Sequence, residues 1–202
     1  MASALFLSPH YDDVALSCGG TVALMADHGI HTTVVTIFGG EVIDDVLGDF
    51  ARWKHWRWGL NDMDAVCEQR QAEDAAATAR LGAGSRWLGF PDAIYRGDRY
   101  VADQELYGEV RTAEQPLAGV MSAEIRSLPE WRSDATVYVP LAAGEHVDHQ
   151  LVFMAGQVLA KTGARVLAYE DCLYAIHSPA GLDRRVAALA GRSARRSSYT
   201  FL

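Results

Sequence analysis

Short apolar runs alternate with helix-like segments from the first residues of this chain. Residues 4–7 read Ala-Leu-Phe-Leu, residues 13–28 have a helical pattern followed by Gly29 as a cap, and residues 31–38 read His-Thr-Thr-Val-Val-Thr-Ile-Phe. Such runs are typical of buried strands in parallel sheets, and their alternation with helices is typical of βαβ units. The order predicts an α/β fold, a Rossmann-like three-layer sandwich around a mostly parallel sheet.

The rest of the chain continues this alternation. Residues 41–64 are an exception, because they are rich in Trp, Asp and Gly without clear periodicity, and they predict a long loop with helical pieces. Residues 169–171 follow the last strand; a solvated turn is the favoured prediction there, and an approach to the ligand-binding edge of the sheet is the alternative. The other predicted segments are helices over 69–81, 116–128 and 147–161 and strands over 87–88, 136–139 and 166–169.

The length and composition are typical of one domain. The chain has 202 residues, of which 50% are hydrophobic and 22% charged, and this is enough to bury a sizeable core. We therefore predict a single domain over residues 1–202. The tail 192–202 lacks periodicity and is expected to be either disordered or an interface arm.

The charge balance and the cysteines argue against several classes of protein. A net charge of -8 disfavours a nucleic-acid or membrane-surface partner, because both need clustered Lys and Arg. The three cysteines are far apart in the sequence and fit neither a disulfide framework nor a zinc knuckle. No leader-like N-terminus and no apolar run of about 20 residues is present. We expect a cytoplasmic protein that acts on a small molecule, and homo-oligomerisation is left open.

Two clusters of histidine and aspartate each follow a predicted strand. His10 and Asp13 form the first, and His146 and His149 form the second, both with i, i+3 spacing that turns the two side chains to the same side. One histidine of the second cluster, together with His10 and Asp13, would give two nitrogens and one carboxylate. Such a set holds a catalytic metal with positions open for water and substrate. Asp12 is left free beside that cation.

Either cluster alone is weak evidence for a metal site. A histidine after a strand is commonly structural, and Asp-Asp is a common helix N-cap. Both clusters nevertheless lie where strands should end, and ligands of α/β proteins bind outside the carboxyl ends of the strands. Their joint placement favours a site over two unrelated structural features.

These residues resemble the zinc-dependent de-N-acetylases related to the LmbE and PIG-L proteins. Residues 9–13, Pro-His-Tyr-Asp-Asp, are similar to the family motif Pro-His-Pro-Asp-Asp-Glu, and residues 146–149, His-Val-Asp-His, match its His-x-x-His. Residues 16–21 look like the family's first helix, residues 70–81 like its Arg- and Glu-bearing helix, and residues 88–92 like its Leu-Gly-aromatic-Pro-Asp segment. The resemblance covers most of the chain up to residue 149 and implies an LmbE-like fold.

The resemblance implies that His10, Asp13 and His149 hold the metal. Zn²⁺ is the implied cofactor, although the same ligands allow Fe²⁺ or another divalent ion. A zinc ion with three protein ligands lowers the pKa of its bound water from about 16 to about 7, so a nucleophile is available near neutral pH.

The resemblance also implies three catalytic roles. Asp12 would be the general base, a protonated His146 would face the oxyanion, and Asp148 would orient His146. Either Asp12 or His146 could protonate the leaving amine.

The chain departs from the family pattern at three positions. Tyr11 stands where the first motif has its second Pro, and Val14 stands where that motif ends in Glu. Neither change removes a ligand or the base. Some relatives carry a tyrosine two residues before the second motif, where it assists the oxyanion, and this chain has Gly144 there. That assistance must be absent or come from elsewhere.

Arg70 and Asp92 are candidates for binding sugar hydroxyls. Arg70 lies near the start of a predicted helix, and Asp92 lies in the segment that lines the substrate pocket in the family. Charge-assisted hydrogen bonds from such residues would orient a sugar. A structural Arg-Asp salt bridge is the alternative.

Together these features predict a metal-dependent amide hydrolase that removes an N-acetyl or other N-acyl group from an amino-sugar conjugate, with metal-bound water as nucleophile. Two alternatives stay open: a non-catalytic sugar-binding module with a vestigial metal site, and a non-haem Fe(II) enzyme. Asp12 and His146 disfavour the first, because neither is needed merely to hold a metal. The βαβ pattern disfavours the second.

Overall fold

A parallel sheet organises the molecule. The computed structural model describes residues 2–40, 47–59, 63–177 and 179–190, and within these residues five strands pair in the order β3-β2-β1-β4-β5. All the strand pairs are parallel. The strands are β1 (Ser3–Ser8), β2 (His31–Thr36), β3 (Gly84–Trp87), β4 (Thr136–Pro140) and β5 (Arg165–Tyr169).

Helices connect the strands. A short 3-10 helix (Ala93–Tyr95) follows β3. The α-helices of the described residues are α1 (Asp13–Asp27), α2 (Asp49–Trp58), α3 (Met63–Arg80), α4 (Asp103–Leu106), α5 (Leu117–Ser127), α6 (Val147–Lys161), α7 (Cys172–His177) and α8 (Pro179–Ala190). None of these helices combines the length and the apolar character needed to span a membrane.

The two faces of the sheet are covered by different helices. On one face, Leu5 and Leu7 of β1 lie in a buried cluster with residues of α5 and α6. On the other face, Ala4 and Phe6 lie with residues of α1. Because successive residues of a strand point to opposite faces, the uninterrupted apolar run of β1 fills both cores. The prediction of a Rossmann-like three-layer α/β fold is confirmed.

Several details differ from the sequence-based expectation. Helix α2 is one helical piece of the kind predicted within residues 41–64, but α3 begins at Met63 rather than at residue 69, and β3 begins at Gly84 rather than at residue 87. Helices α4, α7 and α8 were not anticipated. Residues 41–46 and 60–62 of the predicted loop, and the tail 192–202, lie outside the described residues.

Candidate metal centre and catalytic site

The candidate site lies at the carboxyl edge of the sheet. Three connections meet there: the turn from β1 into α1, the loop from β4 into α6, and the residues that follow β5. Since parallel strands end at the same edge, segments far apart in sequence converge. The side chains that these connections bring together are His10, Asp12, Asp13, His146, Asp148, His149 and Asp171.

The turn after β1 is held by its own hydrogen bonds. The Ser8 hydroxyl donates to the carbonyl of His10 (2.7 Å), and the backbone N–H of His10 donates to Oδ2 of Asp13 (2.9 Å). Asp12, at the start of α1, has φ 68 and ψ -14, in the left-handed region that non-glycine residues rarely occupy. Ala142 and Glu145, in the loop before α6, also have positive φ. Backbone strain of this kind is concentrated at functional sites.

Three side chains are placed to share one cation. Oδ2 of Asp13 lies 3.4 Å from Nδ1 of His10 and 3.3 Å from Nε2 of His149, and ligand atoms of the three residues lie within 4.8 Å of one another. His149 is 2% exposed, and neither of its ring nitrogens has a hydrogen-bond partner among the described residues. A buried Nε2 that faces the Asp13 carboxylate without a hydrogen bond fits a bound metal ion.

The charges at this site also favour a cation. Burial opposes protonation of His149, but the carboxylates of Asp13 and Asp171 outweigh it and raise the pKa of His149 to about 9. For His10 too, burial is outweighed, chiefly by Asp92 and Asp13, and its pKa is raised. Burial disfavours the charge on Asp13, yet the two imidazoles hold its pKa well below the usual range. Two imidazole nitrogens and one carboxylate oxygen suit a divalent metal, and this is the set of donors that the sequence predicts.

Each of the two histidines has a buried carboxylate behind it. Nε2 of His10 lies 3.0 Å from Oδ2 of Asp148, and Nδ1 of His149 lies 3.5 Å from Oδ2 of Asp171. Asp171 is 2% exposed, and its Oδ2 accepts the backbone N–H of Ala143 at 2.9 Å. Metal-binding histidines typically have such a partner, which fixes the ring orientation. The favoured expectation of a solvated turn over 169–171 is therefore wrong at Asp171, and the alternative, that this segment approaches the site, is met there.

His146 caps helix α6. Its Nδ1 accepts the backbone N–H of Asp148 at 3.2 Å, so the neutral ring carries its proton on Nε2. Burial, with the charge of His10, lowers the pKa of His146 to about 3. The protonated form expected from the sequence is thus disfavoured, although the neutral ring keeps one N–H donor. The role of Asp148 in orienting His146 stays a prediction; in the structure the carboxylate of Asp148 contacts His10.

A buried arginine holds the Asp148 carboxylate in place. Nη1 of Arg96 donates to Oδ1 of Asp148 (2.7 Å), and Nε donates to Oε1 of Glu114 (2.9 Å). The Tyr100 hydroxyl donates to Oε2 of Glu114 (2.6 Å), and the backbone N–H of Ala93 donates to Oδ2 of Asp148 (2.9 Å). Sequence reasoning missed this network, because Arg96 and Glu114 lie in irregular segments without a motif.

Replacing Arg96 with Met should destabilise the protein. Two buried carboxylates, Asp148 and Glu114, would lose their cation, a change that typically costs about 3–5 kcal/mol. Arg99 is the matched control, since its side chain is 53% exposed and lies 3.7 Å from the same Glu114. Urea unfolding of Arg99→Met should differ from the parent by about 1 kcal/mol or less. Equal unfolding free energies for the two variants would contradict a supporting role of Arg96.

Arg70 and Asp92 contact the site at different points. Nη2 of Arg70 lies 3.3 Å from Oδ2 of Asp12, with both side chains about half exposed. Oδ2 of Asp92 lies 3.4 Å from Nε2 of His10, while its Oδ1 accepts the backbone N–H of Ile94. Burial raises the pKa of Asp92, and it also raises that of Asp12 despite Arg70. An Arg-Asp ion pair thus exists, but Arg70 forms it with Asp12.

Aromatic rings occupy the space beside Gly144. A Cβ at this position would clash with the ring of Tyr174, so a larger residue requires Tyr174 to move. The same ring meets His149 edge-on at 5.1 Å, and Tyr107 meets His146 edge-on at 5.3 Å. Gly144 therefore leaves room for the ring of Tyr174, which together with Tyr107 lines this side of the site.

The chain was compared with known proteins. It matches the family model described as "PIG-L: GlcNAc-PI de-N-acetylase" over residues 5–160. A 2'-N-acetylparomamine deacetylase from Niallia circulans is 31% identical over 185 residues, which cover 84% of this chain and 66% of that protein. A protein of the same name from Streptomyces fradiae is 34% identical over 177 residues, covering 85% of this chain and 57% of that protein. The chain thus spans less than two thirds of the length of these relatives.

A solved structure supports the likeness of fold. The zinc-inhibited form of a teicoplanin deacetylase has a TM-score of 0.72 to this chain and is 28% identical to it, with 87% of this chain and 70% of that chain covered. In this chain, the His/Asp/His cluster described above is the candidate site for a metal ion.

Proposed function

This chain belongs to the PIG-L, GlcNAc-PI de-N-acetylase, family, and from that premise we propose that it is a metal-dependent hydrolase that removes an N-acetyl or other N-acyl group from an amino-sugar conjugate. The observation that carries the proposal is the His10, Asp13 and His149 cluster with the carboxylate of Asp12 beside it, outside the ligand set and paired with Arg70. The relatives' names support the reaction class, since two are 2'-N-acetylparomamine deacetylases and one is a teicoplanin deacetylase.

In this proposal the metal is held by His10, Asp13 and His149. Zn²⁺ is our first candidate, with Fe²⁺ or another divalent ion as the alternative. When bound, such an ion supplies Lewis acidity toward an amide carbonyl and makes a water molecule acidic near neutral pH. Asp148 and Asp171 stand behind the two histidines and keep the rings turned toward Asp13.

Asp12 takes the proton of the attacking water. It lies outside the ligand cluster, and burial raises the pKa of its carboxyl, which improves its ability to accept a proton. Arg70 restrains the carboxylate through the 3.3 Å ion pair. The carboxylic acid of Asp12 then returns this proton to the leaving amine; His146 is not the donor, because loss of the Nε2 proton from its neutral ring would leave an imidazolate.

His146 faces the carbonyl oxygen as negative charge develops on it. Its neutral ring donates from Nε2, because Nδ1 is occupied by the backbone N–H of Asp148. A donor fixed in this way needs no rearrangement during the reaction, the condition under which oxyanion contacts are most effective. Removing one such donor typically costs about 3–4 kcal/mol of transition-state stabilisation.

Arg70 and Asp92 are proposed to bind sugar hydroxyls. Both lie beside the cluster, one paired with Asp12 and the other close to His10. Each residue keeps further hydrogen-bonding capacity, since a guanidinium has five N–H donors and a carboxylate accepts several bonds.

The proposal is tested by measuring amide hydrolysis directly. Metal-analysed protein is incubated with N-acetylglucosamine conjugates and with 2'-N-acetylparomamine, with and without added Zn²⁺ or Fe²⁺. Acetate release is measured on all of them, and new primary amine is measured with fluorescamine on conjugates that contain no other amine. We expect metal-dependent formation of acetate and amine in equal amounts. Metal-loaded protein that is inert on every conjugate would contradict the proposed activity.

A further inference from the structure

A buried carboxylate on helix α3 contacts the turn that carries Asp12. Asp74 is 4% exposed, and its Oδ1 accepts the backbone N–H of Asp12 at 3.3 Å. Its Oδ2 accepts the Thr36 hydroxyl at 3.2 Å and the indole N–H of Trp87 at 2.9 Å. All three partners are donors in this arrangement, so an ionised carboxylate, which only accepts, satisfies every one of them.

We infer that Asp74 is a positioning residue that fixes the backbone of Asp12 and, through it, the direction of the Asp12 carboxylate. The inference rests on the proposed function, in which Asp12 is the base. Asp74 touches neither substrate nor metal in this account and acts only through Asp12.

The conformation of Asp12 explains why such a support is needed. A non-glycine residue with φ 68 persists only where its surroundings impose that conformation. A peptide flip at this turn would swing the carboxylate away from the cluster formed by His10, Asp13 and His149. The hydrogen bond from the Asp12 N–H to Asp74 ties the strained peptide to a helix that is itself packed on β3.

Helix α3 contacts both the side chain and the backbone of Asp12. Arg70 and Asp74 are four residues apart and therefore lie on one face of the helix. Arg70 pairs with the Asp12 carboxylate and Asp74 binds its backbone N–H. Thr36 and Trp87 end the neighbouring strands β2 and β3, so the position of Asp74 is in turn fixed by the edge of the sheet.

The substitution Asp74→Asn disturbs this arrangement in a predictable way. The asparagine side chain carries one acceptor oxygen and one donor amide at its tip. If the asparagine oxygen accepts from Trp87, its NH₂ group faces the N–H of Asp12, and two donors meet without an acceptor. If the oxygen accepts from Asp12, the NH₂ group faces the indole N–H of Trp87 in the same way. Removing the indole N–H with Trp87→Phe lifts this conflict, since the Thr36 hydroxyl can accept as well as donate. The double variant can therefore turn its oxygen back to Asp12.

A double-mutant cycle tests the inference. We expect Asp74→Asn to lower kcat about 10- to 100-fold, as misplacement of a catalytic group does, with KM changed about twofold or less and metal stoichiometry unchanged. Asp74→Asn/Trp87→Phe should recover about fivefold or more of the lost kcat, whereas independent effects would multiply and lower it further. A double variant no faster than Asp74→Asn, or an Asp74→Asn variant with unchanged kcat, would overturn the inference.

Amide hydrogen exchange gives a readout that does not depend on turnover. The Asp12 N–H should exchange slowly in the parent protein, faster in Asp74→Asn, and slowly again in the double variant, when each is followed by NMR as the metal-loaded protein. Equal exchange at Asp12 in all of them would overturn the positioning role. If the parent protein hydrolyses no conjugate, the proposed function fails while the exchange pattern still decides whether Asp74 holds this turn.

Discussion

Replacing Asp12 with Asn is expected to abolish most of the turnover while the protein keeps its full complement of metal. The Asp12 carboxylate pairs with Arg70 and lies outside the His10, Asp13 and His149 cluster, so no ligand is lost. An amide of the same shape cannot accept the proton of water, and loss of a general base costs about 10²- to 10⁴-fold in rate. The measurements are kcat by acetate release and metal content by elemental analysis.

Two further variants make this result decisive. Asp13→Asn changes the neighbouring carboxylate, which lies between the two imidazoles, and it should lose metal as well as activity. Asp134→Asn changes an exposed aspartate on the loop before β4 and should retain both. If Asp12→Asn lost metal in proportion to activity, Asp12 would be a ligand and not the base.

The long-range geometry of the site followed from simple patterns in the sequence. His10 and Asp13 come directly after one apolar run, and His149 comes after another; once both runs are parallel strands, the sheet must bring these residues to one edge. The fold was predictable for the same reason, since the apolar run of β1 can be buried only with helices on both faces.

The residues that support the site were not predictable in this way. Asp74, Asp171 and Arg96 belong to no motif, and each acts on a residue more than 20 positions away in the chain. A charged residue in a helix or loop is ordinarily solvated, so local pattern predicts exposure. These three are buried because tertiary structure surrounds them with partners of matching hydrogen-bonding character. These hydrogen bonds cannot be inferred from any one segment, because their donors and acceptors lie on several elements that only the folded chain brings together.

The orientation of Asp148 shows the same limit. Its position between His146 and His149 in sequence suggested a partner on its own turn. As the second residue of α6, however, it is fully buried against the segment after β3, where Arg96 and the backbone N–H of Ala93 fix its carboxylate. Its third contact is His10, 138 residues away in the chain.

Replacing His149 with Ala is expected to remove the metal itself. Only one nitrogen and one carboxylate of the proposed set would be left, and the lost imidazole is the one enclosed between Asp13 and Asp171. Metal content after dialysis should fall to background. The exposed His177 is the matched control, and His177→Ala should keep stoichiometric metal. Stoichiometric, tightly held metal in His149→Ala would overturn the ligand role.

Asp171→Asn separates the loss of a ligand from the loss of its support. The His149 ring would stay in place but lose the carboxylate 3.5 Å from Nδ1, a change that typically weakens metal binding about 10- to 100-fold. Chelator competition measures this affinity in the absence of substrate. The expected order of affinity is parent, then Asp171→Asn, then His149→Ala, because the first change weakens a nitrogen donor and the second removes it. Identical affinities for Asp171→Asn and the parent would show that packing against His149, including the ring of Tyr174, suffices to orient it.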